Sequence, residues 1–270
     1  MSRAGSGFIS GNSPASAARV VDAAARLIDG DATMLATKPR RQTEPFFEGP
    51  DSPTLVRRAL AECVATIALT MVVVFSAQAA WLGELRPLAL GFGVPAAVAA
   101  LTLAFGPATG AHFNPLVTAS QWMRGHRSTR CLVAYLCAHI AGALGGAALA
   151  GPLIGQAPDA ASAPISLVIG SEVFASAGLI VIVLAASLVM GPKVGLLAVV
   201  GWLVTVNLVA PAGPFANPVL AVAIPLALGS LDGPLAAFRV SAELAGFGLA
   251  LLVIAITYPR RTFTSLPSKR

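Results

Sequence analysis

Two asparagine–proline pairs, Asn114-Pro115 and Asn217-Pro218, and four titratable side chains in apolar surroundings, Glu62, His112, His139 and Glu172, are the residues best placed to do chemistry. Their chemistry is hydrogen bonding and charge placement, not bond breaking. An asparagine ahead of a helix caps it, because its side-chain oxygen accepts a bond from the first turn. Proline suits the first helical position, where no N–H is needed. Capping through the oxygen leaves the amide NH2 free to donate. The helix N-terminus adds about +0.5 of an elementary charge. Two such ends facing each other would repel cations and orient a passing water by its oxygen. A single Asn-Pro pair could mark only a turn, but two at matched positions in short apolar segments call for more.

Catalytic alternatives find no support. The chain has no His pair with metal-ligand spacing, no Gly-x-Ser-x-Gly elbow and no phosphate-cradling glycine loop. No catalytic residue, metal or cofactor is therefore assigned. Cys63, Cys131 and Cys137 lie within or at the edge of apolar stretches and read as small buried hydrophobes.

The elements that must carry these residues are membrane spans. The 270 residues are 56% hydrophobic and 11% charged, against about 25% charged in soluble domains. A net charge of +6 might be read as a nucleic-acid signal. The basic residues instead occupy tails and short loops, so the expected partner is the lipid bilayer and no nucleic acid. Six stretches approach the roughly 20 residues a span needs: 56–80, 87–105, 131–152, 165–190, 194–209 and 236–258. The fifth is short. Two further pieces, 115–123 and 218–228, follow the Asn-Pro pairs and are too short to span. Segments of that length are read as re-entrant. Arg57, Arg58, Arg124, Arg127, Arg130, Lys193, Arg260 and Arg261 fall on one side of this arrangement, which predicts cytoplasmic termini. Residues 1–52 read as a disordered cytosolic tail, with a short amphipathic helix near 15–28. Residues 53–258 read as one channel domain, and 259–270 as a cytosolic C-terminal tail.

That domain is an internal repeat, about 55–152 and 165–258. Ala61-Glu62-Cys63-Val64-Ala65-Thr66 matches Ser171-Glu172-Val173-Phe174-Ala175-Ser176, with Leu69 and Leu179 at the same offset. Ala138-His139-Ile140-Ala141-Gly142 matches Ala242-Glu243-Leu244-Ala245-Gly246. Three spans per copy is an odd number, so the second copy enters from the opposite side. Inverted repeats of this kind place their site near the midplane, where interrupted helices meet.

Gly110-Ala111-His112-Phe113-Asn114-Pro115-Leu116-Val117-Thr118 is similar to the first signature of the aquaporin and aquaglyceroporin (major intrinsic protein) family, and Asn217-Pro218-Val219 stands where the second belongs. The resemblance covers about residues 55–258. It implies an all-α membrane protein: a right-handed bundle of six transmembrane helices with two re-entrant half-helices. It also implies a homotetramer with one pore per subunit, passive conduction of water and small neutral solutes, and, with the Ala-rich composition, a bacterial inner membrane. Both family alanines are replaced, by Leu116 and Val219, which are expected where the half-helices touch. The family's filter arginine is replaced by Leu220. Ungapped counting from the asparagines puts Val94, Thr205 and Pro214 at the other filter positions. Such a filter is mostly apolar and predicts passage of glycerol-like polyols, urea, ammonia or neutral metalloid hydroxides.

Ionisable groups at membrane depth are costly and face the protein interior. For Glu62 and Glu172 the bland role is that of carboxylates that accept N–H bonds from the loops ahead of the half-helices, a role the resemblance also implies. The sharper role is proton coupling. His112 either faces the pore, holds its loop or merely packs. His139 stands where the family has glutamine. The Gly142/Gly146 spacing is read as close helix packing at the repeat interface. Two alternatives to a channel remain at this level: a proton- or ion-coupled transporter of small solutes, and a poorly conducting scaffold on the same fold.

Overall fold

The computed structural model describes residues 53–79, 85–154, 163–189 and 192–258. The expectations for 1–52, including the helix near 15–28, and for 259–270 lie outside the described residues. Within them all regular structure is helical. In chain order the α-helices of more than one turn are α1 (Leu55–Ala77), α2 (Val94–Thr109), α3 (Pro115–Met123), α4 (Thr129–Ala150), α5 (Ile165–Val189), α6 (Pro192–Val209), α7 (Pro218–Ala227) and α8 (Gly233–Thr257).

Among the described residues five helical runs are long and apolar enough to cross a membrane: α1, Ala89–Thr109, Thr129–Leu153, Ile165–Leu188 and α8. Helix α6 has 18 residues, about 27 Å at 1.5 Å per residue, slightly less than the roughly 30 Å hydrocarbon core. Helices α3 and α7, with 9 and 10 residues, reach only about half that depth.

Local sequence explains the ends. Ser128 caps α4 by accepting from Cys131 N–H at 3.2 Å, and Asp232 caps α8 by accepting from Leu235 N–H at 3.0 Å. Ahead of α2 the backbone widens into a π-helical stretch, Ala89–Gly93. Pro95 lacks an N–H and would press on the carbonyl four residues back, so a wider turn accommodates it. Helix α2 then runs through Pro107 to Thr109, four residues beyond the sequence-based limit, and Gly110 ends it at φ 93°.

The bundle buries a set of polar side chains within its apolar core and turns an apolar face outward. On α1, Glu62, Thr66 and Thr70 are fully buried, while Leu60 and Val64 are exposed. The two threonine hydroxyls donate to the carbonyls of Glu62 and Thr66, one turn back, at 2.7 and 2.8 Å. Exposed Ile140, Leu197 and Ile256 extend the apolar exterior, the face a bilayer covers. Of the cysteines only Cys131 is buried; Cys63 is half-buried and Cys137 exposed. That corrects the expectation of three buried thiols, because in lipid an apolar side chain gains little by turning inward.

The tightest helix contacts lie within each repeat. A Cβ on Gly142 would stand 2.6 Å from the Cys63 carbonyl oxygen, and one on Gly146 2.7 Å from that of Ile67. A Cβ on Gly246 would stand 2.6 Å from the Val173 carbonyl oxygen. So α4 lies on α1 and α8 on α5, and the small residues serve these pairs instead of the repeat interface. The half-helices join the repeats. Leu220 and Ile224 of α7 pack with Leu69, Val73 and Val94 of repeat one. Leu116 and Val117 of α3 pack with Ile180, Leu184 and Ala250 of repeat two. Val219 packs toward Ala143 and Ala147 of α4. The larger residues that replace the family alanines thus fill space against the opposite repeat.

Candidate functional site

Each half-helix is preceded by an irregular loop whose last residues, His112 and Phe113 in one and Pro214 and Ala216 in the other, are buried. No water is available there for unpaired backbone groups, so side chains must satisfy them. In the first loop Glu62 does this. Its Oε1 accepts from His112 N–H at 3.1 Å and its Oε2 from Phe113 N–H at 2.7 Å. His139 Nε2 lies 2.9 Å from the same Oε2; since an ionised carboxylate only accepts, this ring nitrogen carries the hydrogen. His112 Nδ1 lies 2.9 Å from Thr118 Oγ1, and its ring meets Tyr135 edge-on at 5.2 Å.

The second loop is held by two acids. Glu172 accepts from Phe215 N–H at 3.0 Å and Ala216 N–H at 3.1 Å. Glu243 accepts from Asn217 N–H at 2.9 Å. Arg239 Nη1 donates to Glu172 Oε1 at 2.5 Å, with its guanidinium 5.0 Å from the centre of the Phe215 ring. Glu62, Glu172, Glu243 and His139 are all fully buried.

The loops are tied to each other across the repeat axis. Asn114 Nδ2 donates to the Ala216 carbonyl at 2.7 Å, and Asn217 Nδ2 donates to the Phe113 carbonyl at 2.9 Å. Phe113 and Ala216 occupy the same place in the two loops, and both are left-handed, at φ 49° and 50°. Such backbone costs about 1–3 kcal/mol per residue and persists only where surroundings enforce it. Here it accompanies a carbonyl that receives the opposite asparagine. One hydrogen of each NH2 group is therefore used inside the protein, so the amides are half free, not wholly free. Asn114 Oδ1 caps α3 through Leu116 N–H at 2.9 Å. Asn217 makes no such cap, although Pro218 still begins α7.

A cavity of about 100 Å³ runs beside this junction. His112, Asn114 and Asn217 line it, with Val94 and Leu220 from the expected filter set. Thr205 and Pro214 are not among its lining residues; Leu203 and Phe215 are. The cavity face of α6 is Leu196, Val199 and Leu203, a helical stripe. Thr205 stands two residues on, about 200° around the helix, where it is exposed and its hydroxyl donates to the Gly201 carbonyl at 2.9 Å. Ungapped counting takes no account of helix phase, which turns Thr205 away from the cavity.

Sequence reading missed Arg239 and Tyr135 and undervalued Arg127. Arg239 and Tyr135 each stand one turn before the repeat-matched pair Glu243 and His139, so an i, i+4 search around those groups would have found them. Arg127, read as a topology signal, is buried. Its Nη2 and the Tyr135 hydroxyl both donate to the Thr109 carbonyl at 2.8 Å, closing the end of α2.

Among solved structures, the chain is similar to the aquaglyceroporin from Plasmodium falciparum at 18% identity, with a TM-score of 0.59 over 75% of this chain and 96% of that one. At that identity the likeness speaks for the fold. No curated protein matches the chain. The family profile described as "MIP: Major intrinsic protein" matches residues 50–235. With that match across most of the bundle, over both half-helices, the chain belongs to the major intrinsic protein family and is an integral membrane protein of channel type, not an enzyme.

Proposed function

We propose that the protein is a passive channel for small neutral solutes, with water as a secondary permeant, whose narrow part is apolar. The observation that carries this reading is the wall beside the Asn114–Asn217 junction: Val94, Leu203, Phe215 and Leu220 contribute no side-chain hydrogen-bond donor. An arginine there would present five fixed donors and a permanent charge. Without it, a solute is selected by size and by its tolerance of these apolar side chains, and water keeps only the polar partners offered by residues such as His112, Asn114 and Asn217. Small polyols, urea, ammonia and neutral metalloid hydroxides fit that description. The facing N-termini of α3 and α7 disfavour cations. The working unit is a homotetramer in a bacterial cell membrane, with both termini cytoplasmic.

Osmotic light scattering on proteoliposomes tests this. Fast re-swelling in glycerol or urea with modest water permeability is the expected result, and Leu220→Arg is expected to suppress re-swelling at least tenfold. Fast water flux with no solute uptake would overturn the apolar-filter reading.

A further inference from the structure

The second loop is held by an acid pair that is one hydrogen short. Glu172 and Glu243 hold consecutive backbone N–H groups of that loop, those of Ala216 and Asn217, which sets the two carboxyls side by side. Both Glu172 oxygens accept N–H bonds, as does Glu243 Oε1. No donor among the described residues reaches Glu243 Oε2, which is buried. A buried carboxylate oxygen without a donor, set beside a second carboxylate, is the least tenable arrangement in an apolar interior. One turn further along the same α5–α8 contact, Ser176 is also fully buried, and its Oγ has no partner among the described residues. A Cβ on Gly246, one turn from Glu243, would stand 3.0 Å from Ser176 Cβ.

The charges lead to the same place. Helix α5 carries Glu172, α8 carries Arg239 and Glu243, and α7 and the loop 210–217 carry no titratable side chain. Two carboxylates against one guanidinium leave one uncompensated negative charge. A single proton removes it and supplies the missing donor. The first repeat provides the contrast: at the position matched to Glu243 it has His139, which brings its own N–H to Glu62.

We propose that Glu172 and Glu243 form a proton-binding site, with one proton held on Glu243 Oε2 and donated to Glu172, and that this proton keeps the second loop in place. The bond formed is O–H···O between the two carboxyls; the proton comes from solvent and returns to it. Through Glu243 Oε1 the site holds Asn217 N–H, so its occupancy bears on the pore junction. Loss of the proton as pH rises leaves two adjacent carboxylates that repel, which loosens the Asn217 anchor.

The test uses the full chain in liposomes. Infrared spectra of wild-type protein at neutral pH are expected to contain the carbonyl band of a protonated carboxylic acid that shifts when glutamate is ¹³C-labelled. The band is expected to vanish with a one-proton titration as pH rises, and to be missing in Glu243→Gln, whose amide replaces the O–H donor. The wild-type labelling and titration need no variant, so a poorly folding Glu243→Gln does not leave the matter open. Absence of the labelled band in folded wild type, or its survival in folded Glu243→Gln, overturns the site. This arm is independent of conduction. The second arm rests on the channel reading: solute re-swelling should fall across the same titration in wild type and lose its pH dependence in Glu243→Gln. A band that titrates while flux stays constant would leave the proton bound but sever its link to the pore.

Discussion

In the first re-entrant loop one glutamate meets a histidine; in the second, two glutamates hold neighbouring N–H groups and one of them meets an arginine. The backbone tasks are alike: both loops bury the residue before asparagine, both turn left-handed there, and both send a carbonyl to the opposite loop. The side chains that perform these tasks have drifted. His112 with Tyr135 in one loop stands where Phe215 with Arg239 stands in the other, an edge-on ring pair replaced by a cation over a ring. Membrane burial fixes what must be satisfied, because no water can substitute. It leaves open which donor or acceptor does it. Loop one hangs on a single carboxylate, whereas loop two has two and needs a counter-charge.

The sharpest way to break this comparison is to remove the anchors. Glu62→Ala strands two loop N–H groups and His139, and should cost about 3–5 kcal/mol. Glu243→Ala strands only Asn217 N–H and should cost about 1–3 kcal/mol. Unfolding in one detergent, compared side by side, decides; equal losses would mean that the two loops are not held differently. Next in size is Arg239→Met, expected to cost about 2–3 kcal/mol through the unbalanced acids. Adding Glu172→Gln should return part of that, and a double-mutant cycle with no coupling would remove Arg239 from the account.

A smaller effect tests what the repeats share. Gly142→Val and Gly246→Val should each cost about 1–3 kcal/mol by overpacking against helix backbone. Gly145→Ala, whose new Cβ would meet Ile67 at 3.6 Å, should be close to neutral; thermal melts separate these outcomes. Smallest is Ala216→Gly, which relieves the left-handed φ and should raise stability by less than about 1 kcal/mol. A clear loss instead would show that the alanine methyl contributes packing that outweighs the strain.

Much of the plan was legible in the chain. Apolar lengths marked the spans, the doubled Asn-Pro pairs marked the half-helices, and 115–123 was placed to the residue. These features are local: proline, capping and hydrophobic run length act within a few residues of their cause. The carboxylates at membrane depth were legible as well, since a charge in an apolar run announces itself. Three things were not. Counting along the chain put Thr205 in the filter, but helix phase turns it to the outer face. Gly142 and Gly146 were assigned to the interface between repeats, yet they pack α4 on α1 within the first repeat. Arg127 passed for a topology signal until its guanidinium was found at the Thr109 carbonyl. Residue types and spacing determined that this chain is a membrane bundle with two interrupted helices. Only the tertiary structure decided which side chains meet at the loops, because those partners lie 26–104 positions apart and nothing but the packed bundle brings them within 3 Å or so.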